Sequence, residues 1–388
     1  MELVPVHNVD TVRRFLEVPA FINKNNDDWI RPLDKDIKEV FDSEKNKLFK
    51  RKDNECKQWV LEDQGKDIGR VAAFVNKKYR NPGDDQPTGG IGFFDCIDNQ
   101  KAADFILDHC KKWLRERGME AMDGPINFGE RDRWWGLLVD GFHEPLYGMN
   151  YNPPYYQKLF ENYGFKSFFH QYCYALYVNA ELQSKLYDRH AKFAKDPNYR
   201  CEHIDKKKLE KYATDFCTVY NKAWAGHGGN KTMGIRQAKM LFKSMKPVID
   251  ERIVWFIYHK EEPIGFWLNL PDLNQWFKYL NGKFGLWQKL HFLWLKKTKK
   301  NKRFVGIVFG VVPEFQKTGA DAFLMIEGAK ALRKGNLYDE FEMEWIGDFN
   351  PTMINLAKSI GTHRSRKLTT YRYLFDRNKE FKRHPTIG

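Results

Sequence analysis

The sequence predicts an α/β (α+β) chain made of two tandem units, each a mixed central sheet flanked by helices. Three observations carry this. A strand, a glycine turn and a helix follow one another at 304–332, FVGIVFGVVPEFQKTGADAFLMIEGAKAL. The order of strands and helices in the first 180 residues recurs after residue 200. Hydrophobic residues make up 42% of the 388 and aromatics 15%, enough for two sizeable cores. The units are placed at 1–180 and 201–388, with a polar, helically spaced connector at 181–200.

The apolar run 304–312 is a buried strand that Pro313 stops, because proline cannot donate to a sheet ladder. Gln316 to Ala320 form the turn, and Ala322, Phe323, Met325, Ile326, Ala329 and Leu332 recur at helical spacing. A helix that starts after such a turn presents unpaired N–H groups and the positive end of its dipole, which suits a phosphate.

From the N-terminus, residues 1–50 suggest a strand, a short helix and an irregular loop. Trp59 to Leu61 and Ile68 to Val75 flank a polar turn and predict a hairpin. Residues 90–97 are the next strand, and 100–117 a helix with Ala103, Ile106, Leu107, Cys110 and Leu114 on one face, ended by Gly118. A strand within 119–127 follows, then a helix opened by Asn152-Pro153 and ended near Gly164, then a strand at 171–178. The second half repeats the order: an amphipathic helix at 209–224, a hairpin from 253–258 and 264–268, strand and helix at 304–334, a strand at 341–347, a helix from Asn350-Pro351 to Gly361 and a last strand at 369–375.

The net charge of +14, from 65 Lys+Arg against 51 Asp+Glu, suits an anionic partner: a polyphosphate cofactor, nucleic acid or an acidic lipid surface. No stretch approaches the ~18 apolar residues of a membrane span, and the N-terminus lacks an apolar leader core. A cytoplasmic enzyme is the expectation. The six cysteines form no CxxC pair, so neither a zinc site nor a disulfide framework is indicated, and no metal is expected.

The order of elements, VPEFQKTGA after the fourth strand of the second half, and Asn-Pro with a downstream Gly resemble the GCN5-related N-acetyltransferase (GNAT) superfamily. More narrowly, W-I-R-P-L at 29–33, I-G-R-V-A-A at 68–73, G-P-I-N-F at 124–128 and Y-N-P-P-Y-Y at 151–156 resemble a bacterial group with two such folds in tandem. The resemblance covers nearly the whole chain and implies two tandem GNAT-like acyl-CoA N-acyltransferase folds. It implies acetyl-CoA or another acyl-CoA as cofactor and a small-molecule or peptide amine as acceptor.

By the same resemblance, the pyrophosphate loop is Gln316, Lys317, Thr318, Gly319 and Ala320, following Val311 and Val312, with Asn350 reaching the pantetheine arm. Asp321 stands where the family has a small residue, and it either repels a phosphate or turns away to cap the helix. The first-half turn, 98–102, has no glycine, so that half is expected not to bind coenzyme A. The family's usual tyrosine acid falls at Ala357, and at Leu159 in the first half, so it is missing from both. Tyr371 and Tyr373 are substitutes by residue type. Glu342 and Glu344 alternate on a strand and face one side, which makes them candidates for the base. Their plainer role is a solvated or salt-bridged face. Glu314 is a weaker candidate.

His227, in the glycine-rich run 226–229, is a further candidate base or substrate contact. The aromatic and basic insertion 277–303 suits a cover over the substrate cleft, and alternatively a peripheral contact with a membrane or nucleic acid. Besides the acyltransferase reading, the chain suits a peptidyltransferase that uses aminoacyl-tRNA, an N-myristoyltransferase-like enzyme, or a non-catalytic ligand-binding module.

Overall fold

The predicted hairpins and crossovers form, and the two halves share one sheet. In the computed structural model, which describes residues 1–224 and 232–387, β1 (Glu2–Pro5) leads into α1 (Val9–Ile22) and α2 (Asp34–Phe41). The first half continues as β2 (Glu55–Asp63), β3 (Lys66–Val75), β4 (Thr88–Cys96), α3 (Gln100–Arg115), β5 (Ala121–Gly124), β6 (Leu137–Asp140), α4 (Tyr156–Tyr163) and β7 (Lys166–Tyr177). The connector is α5 (Ser184–Phe193). The second half opens with β8 (Tyr199–His203), α6 (Leu209–Trp224), α7 (Ile235–Met245), β9 (Trp255–His259), β10 (Glu262–Pro271), α8 (Asn274–Phe277) and α9 (Leu286–Thr298). It closes with β11 (Arg303–Val311), α10 (Ala320–Gly335), β12 (Glu340–Gly347), α11 (Pro351–Ser359) and β13 (His363–Leu374).

Among the described residues the strands run in the order β1-β2-β3-β4-β5-β13-β7-β12-β11-β10-β9-β8, with β6 pairing β13 at the side. The last strand of each half has therefore crossed into the other. β13 pairs antiparallel with first-half β5, Tyr371 opposite Gly124, and β7 pairs antiparallel with second-half β12, Phe341 opposite Leu176. Packing follows the pairing. Tyr371, Tyr373 and Phe375, which share a face by the period of two, join the first-half core with Ile106, Leu107 and Phe160. Val178, just past β7, joins the second-half core with Phe256, Phe266 and Leu324.

Local chemistry explains most boundaries. Asn99 caps α3 by accepting from Ala102 N–H, Gly164 ends α4 at φ +106°, and Gly361, just past α11, also has positive φ. One expectation is corrected: α4 starts at Tyr156, so Pro153 precedes it, whereas Pro351 does open α11. Asn152 does not cap α4; it accepts from Leu138 N–H and donates to Leu138 O, pinning the preceding segment. The strands β6 and β8 and helix α7 are not among the elements expected from the sequence.

The insertion between β10 and β11 clasps the first half. Trp276, Phe277 and Leu280 pack with Leu33, Phe292 and Leu295, while Asn274 donates to Pro145 O at 2.9 Å.

The exchange makes each half dependent on the other. Residues 1–180 produced alone would leave the β13-facing edges of β5 and β7 unpaired, and such edges template aggregation. The expected outcome is an insoluble or molten fragment by size-exclusion chromatography and near-ultraviolet circular dichroism, recovered when residues 181–388 are co-expressed.

Candidate functional site

Two strand pairs part along β12. β11 and β12 pair in parallel only from Arg303–Glu340 to Gly306–Met343. Beyond Met343 the β12–β7 register also slips, until Ile346. Glu344 is the first residue past the parting point.

The two strand carboxylates have opposite surroundings. Glu342 is fully buried: Arg366 Nε is 2.8 Å from Oε1, Arg303 Nη1 is 3.1 Å from Oε2, and the Ser365 hydroxyl donates to Oε1 at 2.7 Å. Burial raises its pKa, but the two guanidiniums overcome this and hold it below the usual carboxylate range. As a base candidate Glu342 is therefore corrected to a structural anion, with both oxygens engaged. Glu344 has no ion pair or hydrogen bond among the described residues. Burial first, and then the neighbouring Asp132, push its pKa up to about 7, against the opposing charge of Arg133. It lines a small cavity with Trp134, Tyr147, Gly148 and Met149.

Those four residues also wall a cleft of the first half whose empty space out to its open mouth is ≈ 800 Å³. The four sequence segments that carried the bacterial resemblance converge there. Trp29, Ile30, Pro32 and Leu33 come from the first, Arg70 from the second, Pro125 from the third, and Tyr151, Asn152 and Tyr156 from the fourth. Asn274 of the second half also lines the cleft, while none of the lining residues comes from 277–303, the segment expected to cover it.

Two carboxylate–tyrosine pairs stand in these walls. Tyr156 donates to Asp95 Oδ1 at 3.1 Å while Arg70 Nε holds Oδ2 at 2.6 Å, and burial raises the Asp95 pKa despite that arginine. Tyr147 donates to Asp36 Oδ2 at 2.7 Å. Sequence reasoning missed this cleft as a site, although its wall motifs were visible; their convergence needs the fold.

At the second-half turn, Gly319 has φ +115° and offers no side chain to cap α10, so the first-turn N–H groups keep their affinity for an anion. Gln316, Lys317 and Thr318 are exposed, and Gln316 Nε2 donates to Val311 O at 3.0 Å. Val311 and Val312 are buried, and Val312 N–H donates to Ile264 O. Asp321 does not cap the helix, a correction; its Oδ2 lies 4.0 Å from Arg189 of α5, whose charge offsets it. The connector also closes one side of the turn, since a Cβ on Gly319 would meet Phe193 at 3.1 Å and Arg189 at 3.2 Å. The residues present fit a phosphate approached from the exposed 316–318 side. The first-half turn is closed by Asn99, whose side chain takes the N–H that an anion would need.

The remaining candidates lie elsewhere. Tyr371 is buried in the first-half core and donates to Glu161 at 2.8 Å, and Tyr373 packs there against Tyr163. Both are removed from the parting of β11 and β12 by the strand exchange, which corrects their assignment as the acid. Asn350 Oδ1 accepts from Met353 N–H as the α11 cap. Glu314 is exposed, and Ala357 and Leu159 are buried. His227 lies outside the described residues. A shallow apolar groove runs under α10, lined by Leu182, Leu186, Met325 and Leu332 among others. No cluster of metal-binding side chains occurs among the described residues.

No family model matches the chain. It superposes on a tandem GNAT protein from the clavulanic acid biosynthesis pathway with TM-score 0.54 and 11% identity, over 97% of this chain and 99% of that one. The chain carries a tandem GNAT fold. A GCN5-related glucosamine N-acetyltransferase region of a fungal GH3 β-N-acetylglucosaminidase aligns with the same GNAT pair at TM-score 0.53 and 11% identity, over 96% of this chain and 38% of that one. In sequence, the chain is 26% identical over 371 residues to the bacterial ceramide synthase of Caulobacter vibrioides, covering 94% of this chain and 95% of that protein. It is 24% identical over 381 residues to protein YghO of Escherichia coli, covering 94% and 93%.

Glu342→Gln strips one charge from two buried arginines and should cost about 3–5 kcal/mol of stability in urea denaturation. The pH dependence has a defined sign. A carboxyl held below its unfolded value of 4.5 stabilises the fold above that pH and loses its contribution as pH falls through the lower folded value. The variant should therefore narrow the gap to wild type as the solution is acidified.

Proposed function

We propose that this chain is an acyl-CoA-dependent N-acyltransferase that joins a long-chain acyl group to the amine of a small, lipid-like acceptor. The observation that carries the reading is Glu344: an unpaired carboxyl with a pKa raised to about 7, at the parting of β11 and β12 and sharing walls with the motif-lined first-half cleft. The tandem GNAT fold supports acyl transfer, and the full-length likeness to a bacterial ceramide synthase supports a fatty amide product.

Each part has a role in that reading. The uncapped start of α10 with exposed Lys317 holds the cofactor phosphates. The first-half cleft holds the acceptor, with Asp36 and Asp95 as hydrogen-bonding anchors. Glu344 accepts a proton from the ammonium, directly or through a water, and the freed amine attacks the thioester carbonyl. The carbon–sulfur bond breaks, the nitrogen gives up its second proton to solvent as the amide forms, and the sulfur leaves as thiolate to be protonated by solvent.

The test is thiol release from a series of thioesters, acetyl to palmitoyl, with a panel of amines that includes long-chain amino alcohols. Turnover is expected to rise with chain length. Absence of thiol release with every pair would overturn the reading, and unchanged thioester affinity in Gly319→Glu would remove the α10 turn from it. Glu344→Gln should lower kcat by about 10²–10⁴-fold. The acid limb of the wild-type kcat profile should fall near pH 7, where Glu344 protonates. Stability separates this from misfolding. A carboxyl raised in the folded state costs stability as pH rises from its unfolded value through its folded one, so the variant should be the more stable protein at pH 8.

A further inference from the structure

Helix α9 has two apolar faces. Phe292 and Leu295 are buried against Trp276, Phe277 and Leu280 of the insertion. On the other side Leu286, Trp287, Leu290, Leu293 and Trp294 are 71%, 78%, 52%, 56% and 56% exposed. At about 100° per residue they fall in an arc of roughly 120°, opposite the buried pair. A helix that packs by one face ordinarily turns polar residues outward, so this stripe is not required by the fold.

Cations surround it. Lys289 lies at the edge of the stripe and Lys297 at its C-terminal end, and α9 contains no Asp or Glu. Beside that end, a groove with ≈ 970 Å³ of empty space is lined by Lys206, Lys296, Lys297, Lys299, Lys300 and Arg252, with Asp250 and Glu251. Arg252 is paired with Asp250 at 2.6 Å and Lys300 with Asp339 at 2.7 Å, while the Glu251 carboxylate accepts from Lys206 N–H. Lys296 donates to Pro247 O. The side chains of Lys206, Lys289, Lys296, Lys297 and Lys299 have no carboxylate partner among the described residues.

We propose that α9 and the adjoining basic groove form a docking surface for an anionic lipid bilayer. The stripe enters the interface with Trp287 and Trp294 at headgroup depth, and the unpaired lysines face lipid phosphates. The absence of any carboxylate on α9 argues against a second copy of the chain, since a two-fold contact through the stripe would bring lysines of both copies together. Among the described residues no helix is long and apolar enough to cross a membrane, so the contact is one of surface adsorption. The docking does not depend on the acyl-transfer reading.

The test is flotation of the full chain with vesicles of phosphatidylcholine alone and of phosphatidylcholine mixed with phosphatidylglycerol, at low and high salt. Binding is expected on the mixed vesicles, weakened by salt and feeble on the neutral ones. Trp287→Ser with Trp294→Ser, and separately Lys297→Glu with Lys299→Glu, should each weaken it by on the order of 10-fold or more. All four positions are exposed, so the thermal midpoint should not move. The proposal fails if wild type floats with neither vesicle or if both double variants bind as wild type does. It also fails if sedimentation velocity shows a concentration-dependent dimer that the tryptophan variant abolishes.

Discussion

A buried chain of charges, Asp272–Arg303–Glu342–Arg366, ties the molecule together where its halves have exchanged strands. Arg303 joins Asp272 after β10 to Glu342 on β12, and Arg366 on β13 closes on the same glutamate. All four side chains are at most 5% exposed. Such a set is tolerable only if every remaining donor finds an acceptor, because an unpaired buried charge costs several kcal/mol. Here the spare guanidinium N–H groups reach backbone carbonyls of the first half: Arg366 donates to His143 O and Glu144 O, each at 2.7 Å, and Arg303 to Glu144 O at 3.0 Å. A second buried set, Arg372 with Asp123 and Asp84, fastens the far end of β13 in the first half. The exchange is thereby written in charge as well as in strand pairing.

This chain of charges also sets the site. By holding the carbonyls of His143 and Glu144, it fixes the segment that continues into Tyr147, Gly148 and Met149, the wall common to the cleft and the Glu344 cavity. One strand carries two glutamates with opposite fates. Two guanidiniums stabilise the charge on Glu342, while Glu344, half-buried and without a cation in contact, has its pKa raised. Pairs pushed apart in this way are how a fold separates a structural anion from a proton acceptor.

Much of this was legible in the sequence. The strand–turn–helix at 304–332 and the repeated order rest on local patterns, and local patterns survive into structure, whereas the alternation expected of Glu342 and Glu344 meets the register slip after Met343, where Glu344 and Trp345 line one cavity. The exchange of β7 and β13 was not legible, because either strand has the same alternation whichever sheet it enters. That explains why Tyr371 and Tyr373 were assigned to the wrong half: their residue type was informative and their neighbours were non-local. The same limit hid the cleft. Its wall motifs at 29–33, 68–73, 124–128 and 151–156 were visible as separate strings, and only the sheet brings them into one cavity. The outer stripe of α9 was legible as aromatic and basic, but its exposure depends on Phe292 and Leu295 satisfying the core alone.

For the proposed acyl transfer, the missing tyrosine acid bears less on the reaction than the resemblance suggests. Ala357 and Leu159 are buried methyl and isobutyl groups, and no hydroxyl can stand in for them at those positions. What leaves in a thioester aminolysis is a thiolate, and an alkyl thiol of the cysteine type has a pKa near 8.5. Such a group departs as the anion at neutral pH and takes its proton from water afterwards, so an acid adds little to the barrier. The amine is the opposite case. An alkyl ammonium resembles lysine, with a pKa near 10.4, and at neutral pH it is almost wholly protonated and not nucleophilic. The step that needs the protein is removal of that proton, and a carboxyl poised near pH 7 matches it better than one fixed as an anion by arginines. In the proposed reaction, therefore, the chemistry can do without an acid at Ala357 or Leu159 and depends on a carboxyl such as Glu344 to take the proton.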